Sequence, residues 1–368
     1  MPVPAVEVAQ AVTTMPEPAE PAEPAEPAEP AEPVEPAGPA GPAATQTAVV
    51  RWEDEVDEIL GGDLTAVLGS VTPASGVVVS PVAPVGLRDR DAGTVSFTTS
   101  LGFGRKLERF AMNPKMSLSF AAREHGFATS QRYVLVQGSV VDVGQPDGAW
   151  VAENLAPRVE RFLGPVKRGR LWDPWLREYY QDRVVVTARV VRVTTWPDLR
   201  CAGAASVAGV PLPGDPLPQR QPERGTAARV NVRQAGRRLA RRRHRLLGFV
   251  HGDGYPFVVP VELTDAGPDE LVLAARTHLP PGGRRAGLVG HSFRPELVGL
   301  TVRQHTGWMQ VDAAGSTRCA YYPHTSRGFQ APPNKTLMLI ANGAIAKYGL
   351  WQARRAGRER LLGTQPGG

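Results

Sequence analysis

Residues 64–120 of this chain read LTAVLGSVTPASGVVVSPVAPVGLRDRDAGTVSFTTSLGFGRKLERFAMNPKMSLSF, and their pattern decides the fold. Thr65–Val71 is β-branched and apolar, residues 72–76 (TPASG) supply turn chemistry, and Val77–Val85 resumes the apolar run, which together predict a hairpin. A second turn over Arg88–Gly93 leads at once into a third strand, Thr94–Thr99. Strands joined by turns this short must pair antiparallel, because a parallel crossover needs about a dozen residues or more. A βαβ fold is therefore excluded, and a meander or barrel is expected. After Gly104-Arg105-Lys106, the stretch Lys106–Met112 reads as a short helix closed by Asn113-Pro114, since the residue before proline is pushed out of the α region.

Working outward, Trp52, Val56, Ile59 and Leu60 fall at helical spacing with acidic residues opposite, and Gly61-Gly62 stops the helix. On the other side, Met116–Ala121 and Tyr133–Val143 give two more strands, and Val184–Val193 a last one of nearly continuous β-branched residues. Between Asp147 and Gln181 the pattern turns helical, with Trp150, Leu155, Phe162, Trp172 and Trp175 as expected core residues. Six strands with helical insertions fit a small closed barrel over residues 51–196.

The plan then recurs. Pro81 and Pro260 are 179 positions apart, and so are Arg105 and Arg284, so two landmarks keep one offset. A Pro/Gly-rich linker, residues 197–227, separates this copy from a second domain over 228–363. There a basic helix, Ala228–His244, stands where the acidic helix stood. Arg245–Val250 and Tyr255–Leu263 form a hairpin, Glu270–Arg276 a third strand, and Gly283-Arg284-Arg285 a second basic turn. A C-terminal helix opens after Pro332-Pro333-Asn334 and ends at Arg354-Arg355, where cations suit the helix dipole. The opposite charge of the two opening helices suggests that they or their barrels pack together. The fold class expected is mainly β with helical insertions (α+β), as two tandem barrels.

Charge is unevenly spread. The chain carries +6, but its first fifty residues hold eight glutamates and no Lys or Arg, which leaves +14 on residues 51–368. Glu-Pro-Ala triplets from Glu17 to Ala37 favour extended, solvated polyproline II, so residues 1–50 read as a disordered acidic spacer. The folded part should attract anions. Ten arginines fall in Arg220–Arg245, but the run lacks aromatic residues that could stack on bases, so no nucleic acid is expected as a partner. Two cysteines, Cys201 and Cys319, make no disulfide framework and fit a reducing cytoplasm. The apolar stretch Thr336–Trp351 is interrupted by Asn342, Gly343 and Lys347 and falls short of the roughly 20 residues that cross a bilayer. No membrane partner is expected.

The basic turn carries the first chemistry. Arg offers a planar fork of donors and Lys a point charge, so Arg105 and Lys106 at a strand-to-helix turn form a phosphate cradle. Thr98, Thr99 and Ser100 add hydroxyls from the adjoining strand end. Arg284 and Arg285 repeat the cationic pair, although Arg276-Thr277-His278 stands where Thr-Thr-Ser stood and Pro280-Pro281 stiffens the loop. No GxSxG, HExxH or paired-Cys motif is present, and no metal site is expected. His278, His291, His305 and His324 show no regular ligand spacing. The aromatic-rich Trp172–Tyr180 serves equally as cavity lining or as core.

The order Ser-Pro-Val, Thr-Thr-Ser, Gly-Arg-Lys-Leu, Asn-Pro, Leu-Ser-Phe, Tyr-Val-Leu-Val-Gln-Gly over Leu64–Trp196 resembles the pyridoxamine 5′-phosphate oxidase-like split β-barrel superfamily, which binds FMN or deazaflavin coenzymes. The second domain resembles it more weakly. Its stretches LPPGGRRAGLVGH, RQHTGWM and PHTSRGFQAPPNKT look like a signature of tandem two-barrel actinobacterial proteins. The resemblance implies an FMN phosphate at Thr99, Ser100, Arg105 and Lys106, with backbone around Ser80 and Pro81 facing the isoalloxazine ring. It also implies a cofactor at the interface of two barrels, supplied here by an intrachain pseudo-dimer or by a homodimer. Three functions compete: an FMN- or deazaflavin-dependent oxidoreductase acting on a small molecule, a non-catalytic flavin- or haem-binding module, and an Arg-rich nucleic-acid or partner-binding protein. Flavin does the hydride chemistry itself, so the catalytic residues stay open.

Overall fold

The computed structural model describes residues 49–362 except 166 and 182. The acidic spacer expected over residues 1–50 lies almost wholly outside the described residues. Helix α1 (Asp54–Gly62) precedes strands β1 (Ala66–Val71), β2 (Val77–Val82), β3 (Arg88–Asp89) and β4 (Thr94–Thr99). Then come α2 (Arg105–Met112), β5 (Lys115–Phe120), β6 (Tyr133–Gly144), α3 (Gly148–Trp150), α4 (Ala156–Leu163), α5 (Trp172–Gln181), β7 (Val184–Trp196) and β8 (Ser206–Gly209). The second half has α6 (Val232–Ala240), β9 (His244–Val250), β10 (Pro256–Pro260), β11 (Glu262–Ala266), β12 (Leu271–Ala274), β13 (Gly282–Ser292), β14 (Thr301–Val311), β15 (Arg318–Gln330) and α7 (Lys335–Arg355).

Two antiparallel sheets result. The first runs β2-β1-β5-β6-β7-β4-β3, with β8 on β7, and the second runs β10-β9-β13-β14-β15-β12-β11. The orders are identical when β1–β7 are replaced by β9–β15, so the duplication is one of topology. Among the described residues no ladder joins β2 to β3 or β4, nor β10 to β11 or β12. Each sheet curls but stays split there, as the expected tandem split barrels require, although the strand count alone suggested closure. Val71 pairs with Val77 and Val250 with Pro256, which keeps the offset of 179 through the first hairpin. It then fails. Leu68 pairs with Leu118 and Leu247 with Leu288, so β5 and β13 correspond at an offset of 170. The second half has no helix in place of α2, and the chain passes from β12 almost directly into β13.

That difference corrects the second basic turn. Arg284 and Arg285 lie inside β13, paired with Met309 and Trp308, and Arg284 occupies the place of Pro114 rather than that of Arg105. Gly283 is glycine because a Cβ there would lie 2.4 Å from the Trp308 ring, not because the chain turns. The basic helix is also shorter than expected, since β9 already begins at His244. Leu155 and Phe162 are buried as expected, whereas Trp150, Trp172 and Trp175 are only part-buried.

The barrels share a core. Val67, Val77, Val79, Tyr133, Leu135 and Trp196 of the first half cluster with Leu247, Phe249, Val258 and Leu288 of the second. At about 1.5–3 kcal/mol for each large apolar side chain buried, this contact is part of the folded state itself. The packing is reciprocal: β2 lies on β9, β13 and β14, while β10 lies on β1, β5 and β6. The carbonyl of Val79 on β2 accepts a hydrogen bond from Gln304 on β14, and that of Val258 on β10 accepts one from Tyr133 on β6. Val79 and Val258 are counterparts, so the interface has the self-complementary form of a two-fold dimer. The opening helices do not supply their opposite charges to it. Asp57 of α1 pairs with Arg88 and Glu55 with Arg132, while Arg243, just after α6, pairs with Glu124.

Candidate anion and cofactor site

Strand β4 ends at Thr99, which is buried, and Ser100 stays extended and accepts from the Gly102 amide at 3.2 Å to cap a 3-10 turn over Leu101–Phe103. Helix α2 follows without a break. Its Leu107 and Phe110 are fully buried, and Phe110 meets Phe97 of β4 edge to face with centroids 6.2 Å apart. With that face committed to the core, Arg105 is left exposed and Lys106 and Arg109 part-buried. Asn113 leaves the helix in extended conformation, as expected before Pro114.

The electrostatics of this corner are one-sided. The Lys106 ammonium lies over the Phe97 ring, 5.6 Å from its centroid. Burial, with Arg109 second, pushes its pKa down to about 8. Part of the side chain still reaches solvent, which makes this a charge recessed in a cleft. The Arg109 guanidinium is held below its usual range first by burial, then by Arg105 and by Arg327. Arg327 belongs to β15, so the second barrel brings a cation to the first barrel's helix. Glu108 opposes them, but it also bonds Arg358 at 2.9 Å. Among the described residues, Arg105, Lys106, Arg109 and Arg327 have no ion pair of their own. Such a cluster costs energy until an anion joins it.

Ser80 and Pro81 come from β2, an edge strand, where a proline's missing amide costs no ladder bond. They are not neighbours of β4 in the sheet. The second barrel relates the two places: Gln304 holds the Val79 carbonyl and stands opposite Arg327 in the β14–β15 ladder. The sequence-predicted residues thus fall into two groups, Thr98 to Lys106 and Ser80-Pro81, related through Gln304, which bonds the neighbouring Val79, and its ladder partner Arg327, which acts on Arg109. Sequence reasoning missed Arg109, Gln304 and Arg327. Arg109 had a signal, one helical turn from Arg105. The other two had none, because only barrel packing brings them here.

An apolar cavity of about 200 Å³ lies farther along β15, lined by Val159, Leu163, Phe329, Met338 and Leu339, with Glu296, Lys335 and Asn342 as polar members. It contains none of the sequence-predicted residues except Tyr179 of the aromatic stretch. Phe329 follows Arg327 on the same face of β15, so cavity and cations are adjacent along one strand.

The second cationic pair, inside β13, is covered. Arg284 is 1% exposed and donates to the carbonyls of Pro281 at 2.7 Å and Pro216 at 3.1 Å, and the Arg285 amide donates to Gln219. His278 meets Asp215 of the linker at 3.1 Å. Trp196 packs edge to face on Phe257 at 6.1 Å, and Arg200 pairs with Glu262 at 3.1 Å. His291 and His305 are buried, and burial pushes them down to about 3 and about 4, so both are neutral. Among the described residues no group of three or more side chains is placed to hold a metal ion.

The chain is similar to pyridoxamine 5′-phosphate oxidase-like split-barrel proteins. One is an F420 reductase, 21% identical, covering 37% of this chain and 94% of its own, with a TM-score of 0.28. Another is a pyridoxamine 5′-phosphate oxidase-related FMN-binding protein from Nostoc punctiforme, 11% identical, covering 54% and 87%, with a TM-score of 0.27. A heme-binding protein from Mycobacterium smegmatis is 14% identical and covers 81% and 100%, with a TM-score of 0.27. No family model matches the chain, and no curated protein does. No helix among the described residues is long and apolar enough to cross a membrane.

Proposed function

We propose that the chain binds flavin mononucleotide in the groove between α2 and β15 and acts as a flavin-dependent oxidoreductase on a small molecule. One observation carries this reading: four cations from two barrels share one electrostatic neighbourhood around Arg109, and among the described residues none of them has an ion pair. The residues fit the group. Arg105, Arg109 and Arg327 offer forked donors to a phosphate, Lys106 adds a recessed point charge, and Thr98 and Ser100 have hydroxyls at the same corner. Gln304 fixes the β2 backbone at Val79, which keeps Ser80 and Pro81 in place as the opposite wall. FMN, when bound, supplies hydride or electron transfer. The groove is completed within one chain, the second barrel acting as the partner subunit of a dimer. A phosphorylated deazaflavin would meet the same cations. A second reading, a non-catalytic flavin carrier, is favoured by one fact: Lys106 and Glu108 are the only acid–base groups among the described residues of the cationic corner apart from its arginines.

The test is a fluorescence titration of FMN and riboflavin against the full chain. FMN should bind much more tightly than riboflavin. Arg105→Ala and Arg327→Ala should each weaken FMN roughly ten- to a hundredfold, the range for losing a charge-assisted bond, and leave riboflavin unchanged. Equal affinity for the two flavins, or none for either, would overturn the assignment. Reduction of the bound flavin by NADPH or a reduced deazaflavin then separates oxidoreductase from carrier.

A further inference from the structure

We propose that α7, together with the loop that precedes α5, docks this protein on an anionic lipid surface. Helix α7 is apolar on two sides. Its inner side buries Met338, Leu339, Leu350 and Ala353, and its Gly349 lies against Gly102 of the 3-10 turn. Its outer side carries Leu337, Ile340, Ile345, Tyr348 and Trp351, each 42–55% exposed. At 1.5 Å per residue this stripe runs about 21 Å. An apolar stripe of that length on a helix already packed on its other side calls for a cover.

The chemistry of the stripe says what the cover is. Residues 335–355 contain Lys335, Lys347, Arg354 and Arg355 and no acidic residue. Tyr348 and Trp351 stack at 5.9 Å, and the Arg355 guanidinium lies 4.2 Å from the Trp351 centroid. Aromatic rings beside snorkelling cations belong at the headgroup level of a bilayer.

A second element repeats the pattern independently. Leu171 is 84% exposed, and Arg168, Arg170 and Trp172 surround it in sequence. This loop is fixed beside α7: Lys167 bonds Thr336 at 3.2 Å, Trp175 donates to the Ile340 carbonyl at 3.2 Å, and Lys347 donates to the Pro174 carbonyl at 3.2 Å. Among the described residues, Asp173 is engaged by the Gly169 amide, Glu296 by Lys335 and Glu359 by Arg354. A second copy of the chain is the poorer occupant, because a two-fold contact through this face would set cations against cations. An anionic bilayer meets both the apolar stripe and its charge, with the helix lying in the interface plane.

The inference is independent of flavin binding. Full-length protein should co-sediment with vesicles of phosphatidylcholine plus phosphatidylglycerol and not with phosphatidylcholine alone, and added salt should release it. Tyr348→Ser/Trp351→Ser and Arg168→Glu/Arg170→Glu should each weaken binding about tenfold or more, with thermal melting and FMN titration unchanged. Failure to bind anionic vesicles, or binding that neither variant alters, would sink the proposal. So would a concentration-dependent dimer abolished by the Tyr348/Trp351 variant, which would make the face a contact between copies.

Discussion

Affinity for FMN should fall as pH rises from neutrality toward 9, and Lys106 should set the slope. Burial and Arg109 hold its ammonium at about 8 in the free protein, where the ordinary lysine value is near 10.4. A phosphate dianion placed beside it removes that penalty and returns the pKa to its ordinary range. The bound form therefore carries more protons than the free form above about pH 8, and linkage makes binding weaken with rising pH. With these two values the dissociation constant rises about tenfold between pH 7 and pH 9, or about 1.4 kcal/mol. An unperturbed lysine gives almost no change over that interval. Lys106→Arg keeps its charge throughout and should be flat. The assay is quenching of flavin fluorescence at constant ionic strength across this range, repeated with inorganic phosphate as competitor. A flat wild-type profile, or an equal slope in Lys106→Arg, refutes the argument.

Three further outcomes follow from the same geometry. Flavin titration should end at one FMN per chain, because α2 has no counterpart in the second half and His278 of the equivalent loop is bonded to Asp215 of the linker; an endpoint of two contradicts this. Gly349→Val should cost about 1–3 kcal/mol, since a Cβ there meets the Gly102 Cα at 3.0 Å and neither backbone can yield, and hydrogen exchange should localise the loss to α7; an unchanged melt refutes the packing. Acid should destabilise the fold between about pH 6.5 and 4. His291 and His305 are depressed to about 3 and about 4, so the unfolded chain binds their protons first, and stability present above the unfolded value is lost as pH falls. Each contributes about 2 kcal/mol at pH 5, and His291→Met should flatten its share of the denaturation profile.

The strands were legible where burial follows local pattern. The turn at residues 72–76 and the Asn113-Pro114 stop bound their elements by backbone chemistry that needs no partner, and both hold in the fold. Glycine misled where it answers to packing instead. Gly283-Arg284-Arg285 looks like Gly104-Arg105-Lys106, yet one glycine precedes a helix and the other clears space for Trp308 within a strand. A tryptophan 25 positions away leaves no local trace. The site shows the same boundary. Arg105, Lys106 and Thr98 to Ser100 are contiguous and could be found, whereas Arg327 comes within electrostatic reach of Arg109 only because the two barrels pack together, with β2 across β13 and β14.

Tandem duplication explains why one groove is open and the other covered. In a homodimer of barrels both grooves share one sequence, so any change at one is made at the other. Here the equivalent ladder positions differ. Gln304 stands opposite Arg327, and their counterparts in the first barrel are Leu135 opposite Thr194. The first groove therefore receives a cation from its partner barrel, and the second receives a hydroxyl. The linker also lies along the second barrel, giving its Pro216 carbonyl to Arg284 of β13 and its Asp215 carboxylate to His278. A buried guanidinium bonded to protein carbonyls no longer needs an anion, while the four cations at α2 still do. Fusion of the two barrels thus lets the halves diverge, one burying its guanidinium against protein carbonyls while the other keeps the cations on which the proposed flavin site rests.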